Sequence, residues 1–308
     1  VTWHPKRSYD LFIGHGGINY EHISRQLAEN TVRIYFSTGI YWKDFNVREA
    51  KRFFDLANRR GYFLPADRAI IHSEEFANQC ADGIIALGGN DSLRTYSCFP
   101  CVIGINCAAY PVTWRAWSRK DYQAGRQHFL FFSGDGNVHK GLDLLLEAFI
   151  RTDLHLHICQ RMEPAFSLVY HRELTSYPNI HAYNYVKMRS PEFKALTNRC
   201  NWIISATCAE GSPGAVIECM AHGLIPILPE SANLDMKGWG FRIPDCSVEA
   251  IRNSMLQASF TDPDECKQRS MNVFELAKDL YSVEEFRASF KRAIERIISN
   301  KKMKMRGQ

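Results

Sequence analysis

Two glutamates on either side of a predicted helix start carry the strongest chemical signal in the sequence. Glu210 lies in a turn of small and polar residues after the apolar run Trp202–Ile204, and Glu218 lies inside the helix that follows. Pro213 suits the first turn of a helix because its missing N–H needs no partner there, and Ser212 is placed to cap it. A helix N-terminus attracts anions through its free N–H groups and its dipole. The two acids therefore predict a ligand with both phosphate and hydroxyl groups.

A glycine-containing turn followed by a lysine forms the second candidate site. Gly134 and Gly136 come directly after the apolar segment His128–Phe132, and Lys140 opens the next predicted helix. Backbone amides in such a turn approach phosphates closely, and a lysine ammonium adds a point charge. The sequence therefore predicts a phosphate-binding turn here, with an ordinary solvated lysine as the alternative for Lys140.

His15 is the third candidate. It follows a predicted strand and so lies at the carboxyl edge of a parallel sheet, where ligands bind in open α/β folds. A structural histidine packed under the Gly16-Gly17 turn is the alternative. Other histidines, including His155, His157 and His181, alternate on strands without carboxylate or cysteine partners, so they are predicted to be structural and no metal site is predicted.

Alternating strand and helix signals predict the elements that must position these residues. The order of the signals favours doubly wound parallel sheets. The predicted strands are 9–13, 32–36, 69–71, 83–87 and 102–105 in the first half, and 128–132, 154–159, 179–183, 202–204 and 225–228 in the second. Predicted helices include 47–60, 140–150 and three at the end of the chain, two of which open with the capping-box residues Asp262 and Ser282.

These motifs resemble those of the retaining glycosyltransferases of family 4, which have the GT-B fold. Glu210 and Glu218 occupy the ends of that family's Glu-x7-Glu signature, followed by Gly223 and a strand that contains Pro226. Lys140-Gly141 before an amphipathic helix matches a second family motif. Asp10 and His15 keep the Asp-x4-His spacing of the family's acceptor-side strand. A chance pair of glutamates on a solvated helix face is the alternative to the first match.

The resemblance implies a role for each matching residue. Glu218 would hold the ribose hydroxyls of a nucleotide sugar, while Glu210 and His15 would lie beside the transferred sugar. Lys140 would bind the donor diphosphate; the arginine that usually assists it is replaced by Asp135, and Arg161 is the predicted substitute. The catalytic set is thus Glu210, His15 and Lys140, and the donor-binding set is Gly134, Gly136, Lys140, Arg161, Val186, Ser212, Gly214, Ala215 and Glu218.

The resemblance also implies an architecture and an activity. The expected α/β GT-B fold has two Rossmann-like domains whose parallel sheets face a cleft. Expected boundaries are 1–125 for an abbreviated acceptor-side domain, joined by a linker at 111–126, then 126–285 for the nucleotide-sugar domain, and 286–308 for a terminal helix and basic tail. The implied activity is transfer of a sugar, with retention, from a nucleotide diphosphate donor to a glycan or lipid-linked hydroxyl, in cell-surface polysaccharide synthesis, without a metal or other cofactor. A nucleotide-sugar epimerase and a non-catalytic nucleotide-sugar-binding subunit remain alternatives.

Composition is consistent with a two-domain globular protein. The chain has 308 residues, of which 45% are hydrophobic and 23% charged, and a formal net charge of +5. This mild charge allows anionic ligands without requiring nucleic acid, which is not predicted as a partner. Ten cysteines, most of them in apolar segments, predict reduced thiols and a cytoplasmic location. The basic end, residues 301–306, is predicted to be a frayed tail, with peripheral contact to acidic lipid at the inner membrane face as the alternative.

Overall fold

The computed structural model describes residues 3–112 and 116–306, and these form two parallel β-sheets with helices around them. The first sheet has four strands in the order β1-β2-β3-β4. They are β1 (Leu11–Gly14), β2 (Val32–Ser37), β3 (Gly83–Leu87) and β4 (Val102–Ile105). Every neighbouring pair is parallel, so their carboxyl ends lie along one edge.

The second sheet has six strands in the order β10-β9-β8-β5-β6-β7, and all of its pairs are parallel. Its strands are β5 (His128–Phe132), β6 (His155–Cys159), β7 (Ile180–Ala182), β8 (Trp202–Ile204), β9 (Ile225–Pro229) and β10 (Phe241–Ile243). The central strands are continuous apolar runs because helices cover both faces of the sheet, as in other doubly wound folds. The two central neighbours β5 and β8 end in the two segments that sequence analysis singled out.

The helices alternate with the strands along the chain. In the first half they are α1 (Gly17–Ser24), α2 (Trp42–Arg60), α3 (Glu75–Cys80) and α4 (Asn90–Thr95). They continue with α5 (Tyr122–Gly125), α6 (Leu142–Phe149), α7 (Pro164–Val169), α8 (His171–Ser176), α9 (Pro191–Arg199), α10 (Gly214–Ala221), α11 (Val248–Ser259), α12 (Pro263–Leu280) and α13 (Val283–Arg306). α2 ends at Gly61, whose positive φ of 72° forms the left-handed cap that favours glycine.

One predicted strand, residues 69–71, is absent. The Asn46 side chain donates to the backbone oxygen of Ile70 at 2.9 Å and accepts from its backbone nitrogen at 2.8 Å. The amide of Asn46 thus takes both positions that a neighbouring strand would fill, and Ile71 is 83% exposed. The apolar triplet belongs to an irregular loop, 61–74, that follows α2.

The last helix returns to the first sheet. Phe286, Phe290, Ile294 and Ile297 form the inward stripe of α13, as predicted, and they pack with Ile34 and Ile85 of the first sheet. Contact is close enough that a methyl group at Gly83 would collide with Ile297. The predicted linker includes residues 113–115, which lie outside the described residues. Within residues 3–112 and 116–306, no helix combines the length and apolar character needed to cross a membrane.

Candidate functional site

Lys140 and Glu210 meet at the carboxyl ends of β5 and β8. The Lys140 ammonium donates to Glu210 Oε1, and the Thr207 hydroxyl donates to the same oxygen at 3.2 Å. Both charged side chains are mostly buried, with 14% and 15% exposed. The structure therefore brings together two of the three predicted catalytic residues as an ion pair.

The environment keeps the Glu210 carboxyl ionised. Burial on its own would raise the pKa of Glu210, but the adjacent Lys140 ammonium outweighs it, and the pKa lies below its ordinary value. In a mostly buried site, a carboxylate can orient hydroxyl groups, and an ammonium can help balance the charge of a phosphate.

The turn after Glu210 packs tightly against the first sheet. A methyl group at Gly211 would collide with the backbone oxygens of Thr38 and Leu87, so only glycine allows this approach. Ser212 Oγ accepts a hydrogen bond from the backbone nitrogen of Cys107 at 3.2 Å. The prediction that Ser212 caps α10 is wrong, because the N-cap residue is Pro213 and its side chain makes no cap bond.

Helix α10 begins at Gly214, one residue after the predicted start at Pro213, and it ends before Gly223, as predicted; the φ of Gly223 is 76°. The first N–H groups of a helix have no partner within it and project outward at its N-terminal end. Gly214 and Ala215 therefore retain their predicted place at a helix terminus that favours anions.

Glu218 pairs with an arginine that sequence analysis missed. Arg189 donates through Nε to Glu218 Oε1 at 2.5 Å and through Nη2 to Oε2 at 3.2 Å. The Glu218 side chain is only 2% exposed, and His222 lies 3.5 Å from Oε1. Burial would raise the pKa of Glu218, but His222 and Arg189 outweigh it and hold it below its ordinary value.

Arg189 is itself fixed in place. Its Nη2 donates to the backbone oxygen of Tyr110 at 2.7 Å, and its backbone has a φ of 64°, which non-glycine residues rarely adopt. The carboxylate predicted to hold ribose is thus covered by a guanidinium. No local pattern marks Arg189 in the sequence; only its proximity to Glu218 in the fold reveals it.

The glycine-containing turn after β5 also has partners inside the chain. The Asp67 carboxylate accepts from the backbone nitrogen of Val138 at 3.2 Å, and a methyl group at Gly136 would collide with Arg68. The backbone oxygen of Gly134 accepts from the Gln160 side chain. A carboxylate from the loop after α2 therefore already uses one amide of this turn.

The two remaining residues of the predicted donor set, Arg161 and Val186, differ in exposure, and Asp135 lies in the turn where an arginine was expected. Asp135 is exposed, and Arg161 is exposed with its guanidinium 5.2 Å from the centre of the Tyr185 ring. Val186 is buried, with 3% exposed. The proposed substitution of Arg161 for the missing family arginine remains a prediction.

His15 keeps its predicted position at the end of β1. It is exposed, and its Nδ1 lies 2.9 Å from the backbone oxygen of Phe36 at the end of β2. The ring is oriented by the neighbouring strand, while its other edge is open. Its approach to a sugar also remains a prediction.

The strand histidines have partners that the sequence did not reveal. Nδ1 of His128 lies 3.0 Å from Nε2 of His157, and Nδ1 of His155 lies 3.0 Å from Nε2 of His181. These four rings form a ladder across β5, β6 and β7, which we call the histidine ladder (His128, His155, His157, His181). Burial lowers the pKa of His157 to about 3 and that of His128 to about 4, with the nearby imidazoles adding to the effect.

Two cavities lie beside the candidate site. One of about 710 Å³ lies between α2 and the start of α11 and is lined by residues that include Arg48, Arg52 and Ser247. Another, of about 750 Å³, lies between the segment 109–112 and helices α12 and α13. Neither cavity is lined by any of the predicted donor residues in the described part of the chain.

Solved structures share this fold. A sucrose-phosphate synthase from Thermosynechococcus elongatus superposes with a TM-score of 0.67 at 15% identity, over 94% of this chain and 74% of that protein. For TarM of S. aureus the TM-score is 0.65 at 13% identity, over 92% of this chain. HepE from Anabaena, solved with UDP-glucose, gives 0.63 at 13% identity, over 94% of this chain and 79% of that protein.

These likenesses confirm the predicted GT-B architecture of two parallel α/β sheets. The chain spans 54% of the length of TarM, so it corresponds to only part of that protein. No protein-family model matches the sequence, and no curated protein matches it. The comparisons therefore support the fold, and function must be argued from the site.

Proposed function

We propose that this chain is a glycosyltransferase that moves a sugar from a nucleotide diphosphate donor to a hydroxyl of a glycan or lipid-linked acceptor. The observation that carries the proposal is the Lys140–Glu210 pair beside the start of α10, at the carboxyl ends of central parallel strands. Ligands of open α/β sheets bind at this edge. HepE, which shares the fold, was solved with UDP-glucose bound.

In this proposal each group has a charge-based task. Lys140 and the first amides of α10 stabilise the negative charge that grows on the leaving diphosphate, and such electrostatic stabilisation is usually the largest contribution to catalysis. This arrangement needs no metal ion at the diphosphate. Glu210 and His15 orient the sugar, and Glu218 holds the ribose once Arg189 has moved aside.

Retention of the anomeric configuration is part of the proposal. The family resemblance supports same-face attack by the acceptor hydroxyl, assisted by the leaving phosphate, because the motifs offer no separate nucleophile. The C1–O bond to the diphosphate breaks as the acceptor oxygen bonds to C1, and the acceptor proton passes to the departing phosphate oxygen.

A non-catalytic nucleotide-sugar-binding role is the second candidate, and specific observations favour it. Asp135 places a negative charge where the related family has an arginine, and Lys140, Glu218 and the amide of Val138 are all bonded within the chain. Such a protein would bind a donor and turn none over.

One experiment separates these functions. The chain is screened by thermal shift against uridine, guanosine and adenosine diphosphate sugars, and any donor that binds is then offered a panel of glycan and lipid-linked acceptors. We expect release of the nucleoside diphosphate and a product with the donor's anomeric configuration by NMR. Binding without release would establish the non-catalytic role, epimerised donor without acceptor would establish an epimerase, and no binding would contradict the proposal.

A further inference from the structure

Two carboxylates and an imidazole form a largely buried group between α2, the loop after it and the turn that follows β5. Glu49 comes from α2, Asp67 from the loop after it, and His139 from the turn between β5 and α6. One potential ligand atom from each of the three lies within 4.8 Å of the other two. Glu49 and His139 are each only 1% exposed.

Each carboxylate is anchored by one oxygen and open at the other. Glu49 Oε1 accepts from the backbone nitrogen of Arg68 at 2.7 Å, and Asp67 Oδ2 accepts from that of Val138. The second oxygens, Glu49 Oε2 and Asp67 Oδ1, are buried and have no hydrogen-bond partner among the described residues. Buried polar atoms nearly always have a hydrogen-bond partner. Two buried carboxylate oxygens without one, in the same group, therefore indicate that a ligand binds between them.

The imidazole presents a nitrogen to the same space. His139 Nε2 lies 2.7 Å from the backbone oxygen of Ala209, and since a carbonyl oxygen can only accept, Nε2 carries a hydrogen. Nδ1 lies 3.6 Å from Glu49 Oε1, so in the neutral ring a lone pair faces the carboxylates. Metal-binding histidines are typically held this way, with the other nitrogen donating to a backbone carbonyl. The ring of Phe45 stacks on His139 at 4.8 Å and fixes its orientation.

We propose that Glu49, Asp67 and His139 bind a divalent metal ion of the zinc class. Carboxylate oxygen and imidazole nitrogen are common zinc ligands, and zinc binds such mixed sites tightly among divalent metals. The Cys208 sulfur lies 3.5 Å from His139 Nδ1 but outside this group of mutually close ligand atoms, so a bound ion would take the lone pair that the thiol now faces. The ion neutralises the two carboxylates and joins α2 to the turn that carries Lys140.

This site is independent of the proposed sugar transfer. Its ligands come from α2, from the loop after it and from the turn between β5 and α6, and none of them belongs to the predicted donor set. A proton on His139 Nδ1, which would pair the imidazolium with Glu49, is the competing occupant. The experiment must therefore distinguish a metal from a proton.

The test uses the whole chain, stripped with a chelator and titrated with Zn²⁺. We expect one zinc per chain by calorimetry and elemental analysis, and a higher melting temperature with zinc. Glu49→Gln and Asp67→Asn keep an oxygen for the backbone bond but lose the charge, so we expect at least 100-fold weaker binding and no thermal shift. Glu163→Gln, a nearby carboxylate outside the group, and a His128→Gln, His181→Gln double variant of the histidine ladder should bind as the unsubstituted chain does.

Several outcomes would overturn the proposal. One is a chain that binds no zinc, with NMR showing His139 protonated at Nδ1 and unchanged by the metal. Another is equal zinc affinity in Glu49→Gln, or loss of binding in the ladder variant alone. If the carboxylate variants fail to fold, Co²⁺ added to the unsubstituted chain decides, since paramagnetic Co²⁺ bound to His139 shifts and broadens the NMR signals of its ring whatever the coordination number, and unchanged signals contradict the site.

Discussion

Arg189 covers the carboxylate of Glu218 through two hydrogen bonds, at 2.5 and 3.2 Å. The same guanidinium donates to the backbone of Tyr110 and lies 5.5 Å from the centre of the Tyr110 ring. A nucleoside can reach Glu218 only if this arginine moves or if both share the carboxylate. Donor binding and the position of Arg189 should therefore be coupled.

We expect Arg189→Gln to lower the free energy of unfolding by about 2–3 kcal/mol, as measured by urea denaturation. Removing one partner of a buried ion pair leaves an uncompensated charge, and this cost is reduced here because the Arg189 side chain is 35% exposed. The double variant Arg189→Gln, Glu218→Gln carries neither charge and should recover most of the loss. A single variant as stable as the unsubstituted chain would show that the pair contributes nothing.

Glu218→Ala should weaken nucleotide binding by about 1.5–3 kcal/mol, the scale of hydrogen bonds to a charged group. Calorimetry with the nucleoside diphosphate found in the donor screen measures this change. Glu249→Ala removes an exposed carboxylate at the start of α11 and serves as the matched control. Unchanged affinity in Glu218→Ala would disprove the ribose role.

Lys140→Gln should lower kcat/KM for sugar transfer by about 100- to 1000-fold, the usual effect of removing one group that stabilises developing negative charge. Steady-state kinetics and donor affinity should be measured together, since a loss confined to KM would indicate binding without transition-state stabilisation. Lys267→Gln, at an exposed lysine on α12, controls for the change in net charge. Full activity in Lys140→Gln would place the diphosphate elsewhere.

Asp135→Arg should tighten donor binding by about tenfold or more. The residue is exposed, so the fold tolerates the change, and an arginine there replaces repulsion of a diphosphate with attraction. Asp153→Arg makes the same charge change in another exposed turn of the same half of the chain. Equal affinity gains in both variants would show that the gain comes from the net charge of the protein and not from a contact between position 135 and the donor.

The histidine ladder should make the fold sensitive to acid. His157 has a pKa of about 3 in the fold, below the ordinary value of about 6.5, because it is buried and faces His181, His128 and Arg199. Below about pH 6.5 the unfolded chain therefore binds more protons than the folded chain, and the free energy of unfolding falls as the pH falls. The contribution of His157 is complete above about pH 6.5 and declines progressively as the pH falls toward 3.

His157→Gln removes the most strongly shifted of these groups. Urea denaturation from pH 7 to pH 4.5 should show a smaller loss of stability in this variant than in the unsubstituted chain. His171→Gln, at an exposed histidine on α8, should follow the unsubstituted chain. Parallel pH profiles for all three proteins would contradict the assignment.

The sequence was most informative where local pattern and tertiary structure agree. Strands β3, β4, β5 and β8 begin and end at the predicted residues, because each is a short apolar run with a clear break on either side. Lys140 and Glu210 were predicted to face one ligand, and their contact follows from the adjacency of β5 and β8 in a parallel sheet.

Failures arose where a distant side chain decides the local structure. Residues 69–71 have the composition of a strand, but Asn46 of α2 bonds the backbone of Ile70 in place of a neighbouring strand. Arg189 and Asp67 carry no local signal, since each acts on a group far away along the chain. Composition and spacing do not encode such contacts.

The return of α13 to the first sheet has a consequence for how the protein is made. Strands β1 to β4 leave the ribosome before α13, and Phe286, Phe290 and Ile297, which cover one face of that sheet, are synthesised nearly two hundred residues after β4. Until then the nascent first half exposes a row of isoleucines that invites aggregation. We expect chaperones to engage that face during translation, and slow synthesis of the second half to lower the yield of folded protein.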